Sequence, residues 1–170
     1  MNFEKAVEYV LQNEEGFVDN PKDPGGATNF GITGKLLAFH RNKVVDQSDV
    51  KNLTIEEAKD IYREYFWNHL SLDDFSFVVA TAIFDTAVNQ GEGQAVRHAQ
   101  RAIGFIVTDG VLGPKTRAAL KVTHDEEFIY QFVAKVQDYY ADLVEKQPSE
   151  LVFLKGWLRR SRRLFLLVGA

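Results

Sequence analysis

The stretch FSFVVATAIFDTAVNQ, Phe75 to Gln90, is apolar almost all the way round a helical wheel. A surface helix needs a polar face, so this segment predicts a helix buried in the middle of the fold. Its polar exceptions, Thr81, Asp85 and Asn89, stand at i, i+4 and i+8 and share one side. A buried helix keeps three polar residues in line only where they have partners. They either wall a ligand cleft or bond internally to a glycine-rich loop, and the pattern leaves both readings open.

Downstream, Gly91 and Gly93 end this helix, and a second one over 93–103 is closed by Gly104. The run TDGVLGPKT then turns at Asp109-Gly110, and Pro114 takes the first position of a short helix. Asp125 is expected to cap a long helix whose stripe runs from Phe128 through Leu143. Pro148 breaks it before a final helix over 149–167. Upstream, Phe3, Ala6, Val7, Val10 and Leu11 recur at helical spacing and predict a helix over 3–13. From Asp19 to Gly34 the period is lost among prolines and glycines, which predicts a loop with one short hairpin around 28–33 and then a weaker helix over 34–41. Thr54 and Glu57 read as a capping box ahead of a stripe of Ala58, Ile61, Tyr62, Tyr65 and Phe66. The expected architecture is mainly α: a helical bundle around a buried central helix, with a small irregular or β element near the N-terminus.

Composition narrows the function classes. With 170 residues, 45% of them hydrophobic, the chain supports a single domain with a substantial core. That length leaves room for a small sub-lobe but not for a second full domain. A formal net charge of −4 argues against a general nucleic-acid binder, although Arg159, Arg160, Arg162 and Arg163 make the last helix strongly basic. That cluster suits either attraction of anionic polymers or a solvated helix face. The absence of cysteine excludes disulfides and thiolate metal sites. The four histidines show no ligand spacing, so neither metal nor cofactor is expected. The start, MNFEKAVEYVLQ, lacks the basic and apolar regions of a conventional signal peptide. The run LFLLVGA is too short to span a bilayer, so no stable membrane insertion is expected.

The chemistry concentrates in EEGFVDNPKDPGGATNFGIT, Glu14 to Thr33. Glu14 and Glu15 stand where the first helix should end, and Asp23 lies nine residues past Glu14. A calcium loop counted from Asp19 would put Pro21 third, Pro24 sixth and Phe30 twelfth, which fails the ligand pattern. Helix capping fails too, because acids are disfavoured at the negative end of a helix. Glycoside hydrolysis remains: one carboxyl kept protonated for the leaving oxygen, and a second carboxylate for water or the sugar carbon. Burial and a helix C-terminus both favour the protonated form, which suits one of the two glutamates as the acid and Asp23 as its partner. From spacing alone, a solvated acidic loop stands beside this reading.

The same twenty residues resemble the N-terminal signature of glycoside hydrolase family 108, with Glu15 standing where that pattern has glycine. YREYFWNHL, AIFDTAVNQGEGQAVRHAQRAIG, TDGVLGPKT and GWLRRSRR continue the likeness into a predicted peptidoglycan-binding region, so it covers nearly the whole chain. The resemblance implies a single lysozyme-like domain, with residues 1–72 as its catalytic lobe and residues 73–170 as a helical lobe similar to a predicted peptidoglycan-binding region. It also implies an endolysin-type N-acetylmuramidase, of phage or prophage kind, that acts on bacterial peptidoglycan as a monomer. Glu14 then occupies the catalytic position and Asp23 the water-activating one, with Thr28 or Asn29 positioning that water. Asp85 and Asn89 would line a sugar cleft. Trp67 and Tyr62 could stack on sugar rings, although the stripe position of Tyr62 favours the core. The expected alternatives are a lytic transglycosylase and an inactive wall-binding module. Without a signal peptide, synthesis in the bacterial cytoplasm and later release or delivery to the wall are expected.

Overall fold

The computed structural model describes residues 2–14, 16–19, 26–104 and 106–168. It divides into two compact units, Met1–Ser71 and Leu72–Ala170.

In the first unit, α1 (Asn2–Leu11) buries Phe3, Ala6, Val7 and Val10 along the predicted stripe. It ends two residues sooner than the spacing suggests, because Asn13 and Glu14 bond back to the carbonyls of Val10 and Leu11 in a tightened turn. Next comes a two-stranded antiparallel hairpin, β1 (Thr28–Asn29) and β2 (Ile32–Thr33), in which Thr28 faces Thr33 and Asn29 faces Ile32. Val18 pairs with Thr28 by two backbone bonds of 2.8 Å and adds a third leg to this ribbon. Helix α2 (Gly34–Arg41) starts at Thr33, whose hydroxyl accepts from the Leu36 amide.

Two short helices complete this unit. Helix α3 (Gln47–Lys51) carries a reciprocal capping box between Asp46 and Asp49. Helix α4 (Ile55–Tyr62) runs into a π-helical stretch, Arg63–Asn68. The box expected at Thr54 and Glu57 forms only by half. The Thr54 hydroxyl accepts from the Glu57 amide, but the Glu57 carboxylate takes two 2.7 Å bonds from the Arg41 guanidinium instead. That fork is stronger than a bond to one amide, and it holds the Glu57 carboxyl below its ordinary pKa.

In the second unit, α5 (Phe77–Gln90) is the segment that opened the sequence reading. Ser76 caps it, every residue from Val78 to Ala87 is buried, and it packs against α6 (Glu92–Ile103) and α8 (Asp125–Lys146). Gly91, at φ +84°, carries the chain from α5 directly into α6, so Gly93 lies inside a helix rather than at a break. Pro114 opens α7 (Pro114–Lys121) as expected. Phe84, Phe128 and Phe132 are fully buried in this core, each contributing about 2–3 kcal/mol by removal from water.

Two boundary expectations are corrected here. His124, not Asp125, is the residue flanking α8; Asp125 sits inside its first turn, favourable for the helix dipole, and accepts from the Ser76 hydroxyl. The single helix expected over 149–167 is three pieces: a 3-10 turn Pro148–Glu150, then α9 (Leu151–Arg163), then a 3-10 turn Leu164–Leu167. Among the described residues the secondary structure is nine α-helices, one π-helical stretch, three short 3-10 turns (the third at Leu72–Asp74) and one small sheet. None of those helices is long and apolar enough to cross a membrane.

Candidate active site

Glu14 is half-buried and sits on the turn that winds down the end of α1. Opposite it is the tip of the hairpin. Its two loop residues, Phe30 (φ +50°) and Gly31 (φ +74°), both have positive φ, as the two-residue turns that match strand twist require. Glycine takes that conformation freely, whereas phenylalanine pays about 1 kcal/mol. The Tyr62 hydroxyl donates to the Phe30 carbonyl at 2.7 Å and braces the tip.

Gly31 is what brings the acid in. A Cβ built on it would lie 2.7 Å from Glu14 Oε2, 2.9 Å from Glu14 Cδ and 2.7 Å from the Tyr62 hydroxyl oxygen. The bare α-carbon is therefore the floor on which carboxyl and phenol converge, and a side chain there would have to displace one of them. In the sequence Gly31 reads only as loop punctuation, and Tyr62 as a core residue or a platform for a sugar ring, not as a brace for the hairpin. The available signals were a Phe-Gly pair between two short polar strands, and the need of a buried tyrosine hydroxyl for a partner.

The remaining predicted site residues fall as follows. Asp23 and Glu15 lie outside the described residues. Thr28 is in the ribbon, its backbone paired with Val18 and Thr33. Asn29 is 5% exposed, and its side-chain amide donates to the carbonyls of Val50 and Lys51 at 3.0 Å each. This satisfies the open end of α3 and ties the hairpin to it. Trp67 is wholly buried, edge-on to Phe3 with ring centres 5.5 Å apart, so it offers no open face to a sugar ring.

In the second unit, Asp85 is 2% exposed and meets the Arg160 guanidinium in a fork, with Nη2 at 2.9 Å from Oδ1 and Nε at 3.1 Å from Oδ2. Its carboxylate is thus paired with an arginine of α9. Asn89, an exposed residue, accepts from the Tyr140 hydroxyl at 2.9 Å. Thr81 is fully buried. Asp109 shapes its turn: Gln100 donates to it and also to the Val111 carbonyl and the Thr116 hydroxyl, while accepting from the Gly110 amide. Among the described residues, no three acidic or histidine side chains converge as a metal site would require.

With this geometry in hand, the chain was compared with known proteins. A family model described as Glycosyl hydrolase 108 matches residues 7–91, and one described as Predicted Peptidoglycan domain matches residues 94–162. Among solved structures, SagA of Brucella abortus is similar, with a TM-score of 0.83 and 36% sequence identity over 96% of this chain and 91% of that one. A search of curated proteins finds no match.

Proposed function

The chain belongs to the glycosyl hydrolase 108 family, and from that premise we propose that it hydrolyses the β-1,4 bond from N-acetylmuramic acid to N-acetylglucosamine in peptidoglycan. The observation that carries the reading is the half-buried Glu14 carboxyl held on the floor of Gly31 beside the Tyr62 hydroxyl. A carboxyl fixed by a helix end on one side and a braced hairpin on the other is pre-organised for proton donation. The match of residues 94–162 to a predicted peptidoglycan domain supports the wall polymer as substrate.

In the proposed reaction, Glu14 gives its proton to the glycosidic oxygen as the C–O bond breaks. Positive charge builds on the muramic acid carbon, and Asp23 stabilises it and takes the proton of the water that adds there. The products are a free N-acetylglucosamine hydroxyl and a reducing N-acetylmuramic end. Tyr62 and Phe30 hold the hairpin tip and so the seat of Glu14; neither takes part in the proton transfers.

The test is mass spectrometry of fragments released from purified peptidoglycan. Reducing N-acetylmuramic ends are expected. Anhydro-muramic ends would replace hydrolysis by transglycosylation, and reducing N-acetylglucosamine ends would move the cut to the other glycosidic bond.

A further inference from the structure

Helix α9 has two faces of different chemistry. Trp157, Arg160, Ser161 and the following Leu164 turn toward its own unit: Trp157 stacks on Tyr140 at 4.9 Å, Arg160 pairs with Asp85, and Ser161 and Leu164 are buried. The opposite face carries Leu151, Val152, Lys155, Arg159 and Arg162 at helical spacing, with Leu166 continuing the line. Leu151 is 59% exposed, Val152 77% and Leu166 71%. A shallow groove of ≈ 660 Å³ beside this face is lined by leucines, Leu154 and Leu158 among them, and by Lys155, Arg159 and Arg162.

The charges on the outer face are uncompensated. Lys155, Arg159 and Arg162 have no ion-pair partner among the described residues, whereas Arg160 on the inner face is paired with Asp85. From Leu151 to Val168 there is no acidic residue, in a chain whose formal net charge is −4. Selection for solubility alone would not set three open cations beside exposed leucine and valine. An occupant must therefore be anionic and apolar at once. A soluble anionic polymer would engage the cations and leave the apolar side chains in water.

We propose that this face of α9 adsorbs on an anionic lipid bilayer, lying in the plane of the headgroups. Its leucines and valine would enter the acyl boundary, and Lys155, Arg159 and Arg162 would pair with lipid phosphates. This is attachment to a surface, not insertion: among the described residues no helix is long and apolar enough to cross a membrane. It does not depend on which glycosidic bond the enzyme cuts.

The test is co-sedimentation of the full chain with vesicles of phosphatidylcholine alone, or of phosphatidylcholine with phosphatidylglycerol at a ~7:3 ratio. Binding is expected only to the anionic vesicles and is expected to fall steeply with added salt. The Arg159→Gln/Arg162→Gln double variant should bind about thirtyfold more weakly. Val152→Ser/Leu166→Ser, which alters no charge, should also weaken vesicle binding while leaving hydrolysis of soluble glycan fragments unchanged. All four side chains are solvent-facing, so unfolding curves matching wild type are the control.

Three results would overturn the proposal. One is equal binding to both kinds of vesicle. Another is loss of binding in the arginine variant with none in the serine variant, which would make the occupant a polyanion. The third is concentration-dependent self-association abolished by the serine variant in the absence of lipid, which would make the occupant a second copy of the chain.

Discussion

The carboxyl of Glu14 occupies the space into which a side chain at Gly31 would grow: a Cβ there would come within 2.7 Å of Glu14 Oε2. The two residues are seventeen apart in sequence and meet because the end of α1 and the hairpin tip face each other. A glycine in this place is thus a condition for seating the acid, and it also satisfies a φ of +74°.

Gly31→Ala is therefore expected to harm both stability and activity. The positive φ alone costs an alanine about 1 kcal/mol, and the methyl group must then displace Glu14 or Tyr62. Urea unfolding should show a loss of about 2 kcal/mol, with turnover on peptidoglycan reduced at least ~tenfold at temperatures where the variant is folded. Wild-type turnover in a folded Gly31→Ala protein would show that Glu14 does not need this seat.

Tyr62→Phe removes one oxygen and leaves the ring in place. The Phe30 carbonyl loses its 2.7 Å donor, so a stability loss of about 1–2 kcal/mol is expected. Because the hydroxyl braces the tip and does not transfer a proton, the pH profile of kcat should keep its shape while its height falls. A shifted acidic or basic limb would instead make Tyr62 part of the proton chemistry.

Much of this unit could be read from sequence, and its gaps have physical causes. The α1 stripe, the hairpin and α2 follow from periodicity and turn residues, which are local signals. Helix α3 escaped because QSDVK buries only Val50, and its ends are held by Asp46, Asp49 and the distant Asn29. The Thr54–Glu57 pair looked like a box because a local motif cannot reveal that Arg41 competes for the same carboxylate. Asp85 was legible as a buried polar residue needing a partner. That the partner is Arg160, 75 residues away, depends on how α9 folds back, which no local pattern contains. The position of Glu14 just past the end of α1 was legible in the sequence, whereas its approach to Gly31 and Tyr62 exists only in three dimensions.

The Asp85–Arg160 pair is expected to support the second unit and not the chemistry. Arg160→Met takes the guanidinium from a buried carboxylate and should cost about 3–5 kcal/mol in urea unfolding. Replacing both partners, as Asp85→Leu/Arg160→Met, should recover most of that loss, because desolvating two charges offsets much of their attraction. A double variant as unstable as the sum of the single ones would contradict this account of the pair.

His98 gives the fold a pH dependence. Burial pushes its imidazole down to about 4, with the nearby Arg101 charge adding to the effect, and its Nδ1 is buried without a hydrogen-bond partner among the described residues. The unfolded chain takes up this proton below about pH 6.5 and the folded chain only near 4. Between those values the unfolded state binds more protons, so stability should fall as pH is lowered, by up to about 1.4 kcal/mol per unit and roughly 3 kcal/mol in all. Urea unfolding of wild type and His98→Leu from pH 7 to 4 checks this, and the variant should lose that part of the slope. Parallel slopes would show that other groups carry the dependence.

The most direct test of the central claim is the rate of peptidoglycan cleavage by Glu14→Gln, measured beside a far-UV spectrum and an unfolding curve. Glutamine keeps the shape of the side chain and removes the proton, so a folded variant at least ~100-fold slower than wild type is expected. A folded Glu14→Gln enzyme with near wild-type turnover would contradict the assignment of Glu14 as the acid.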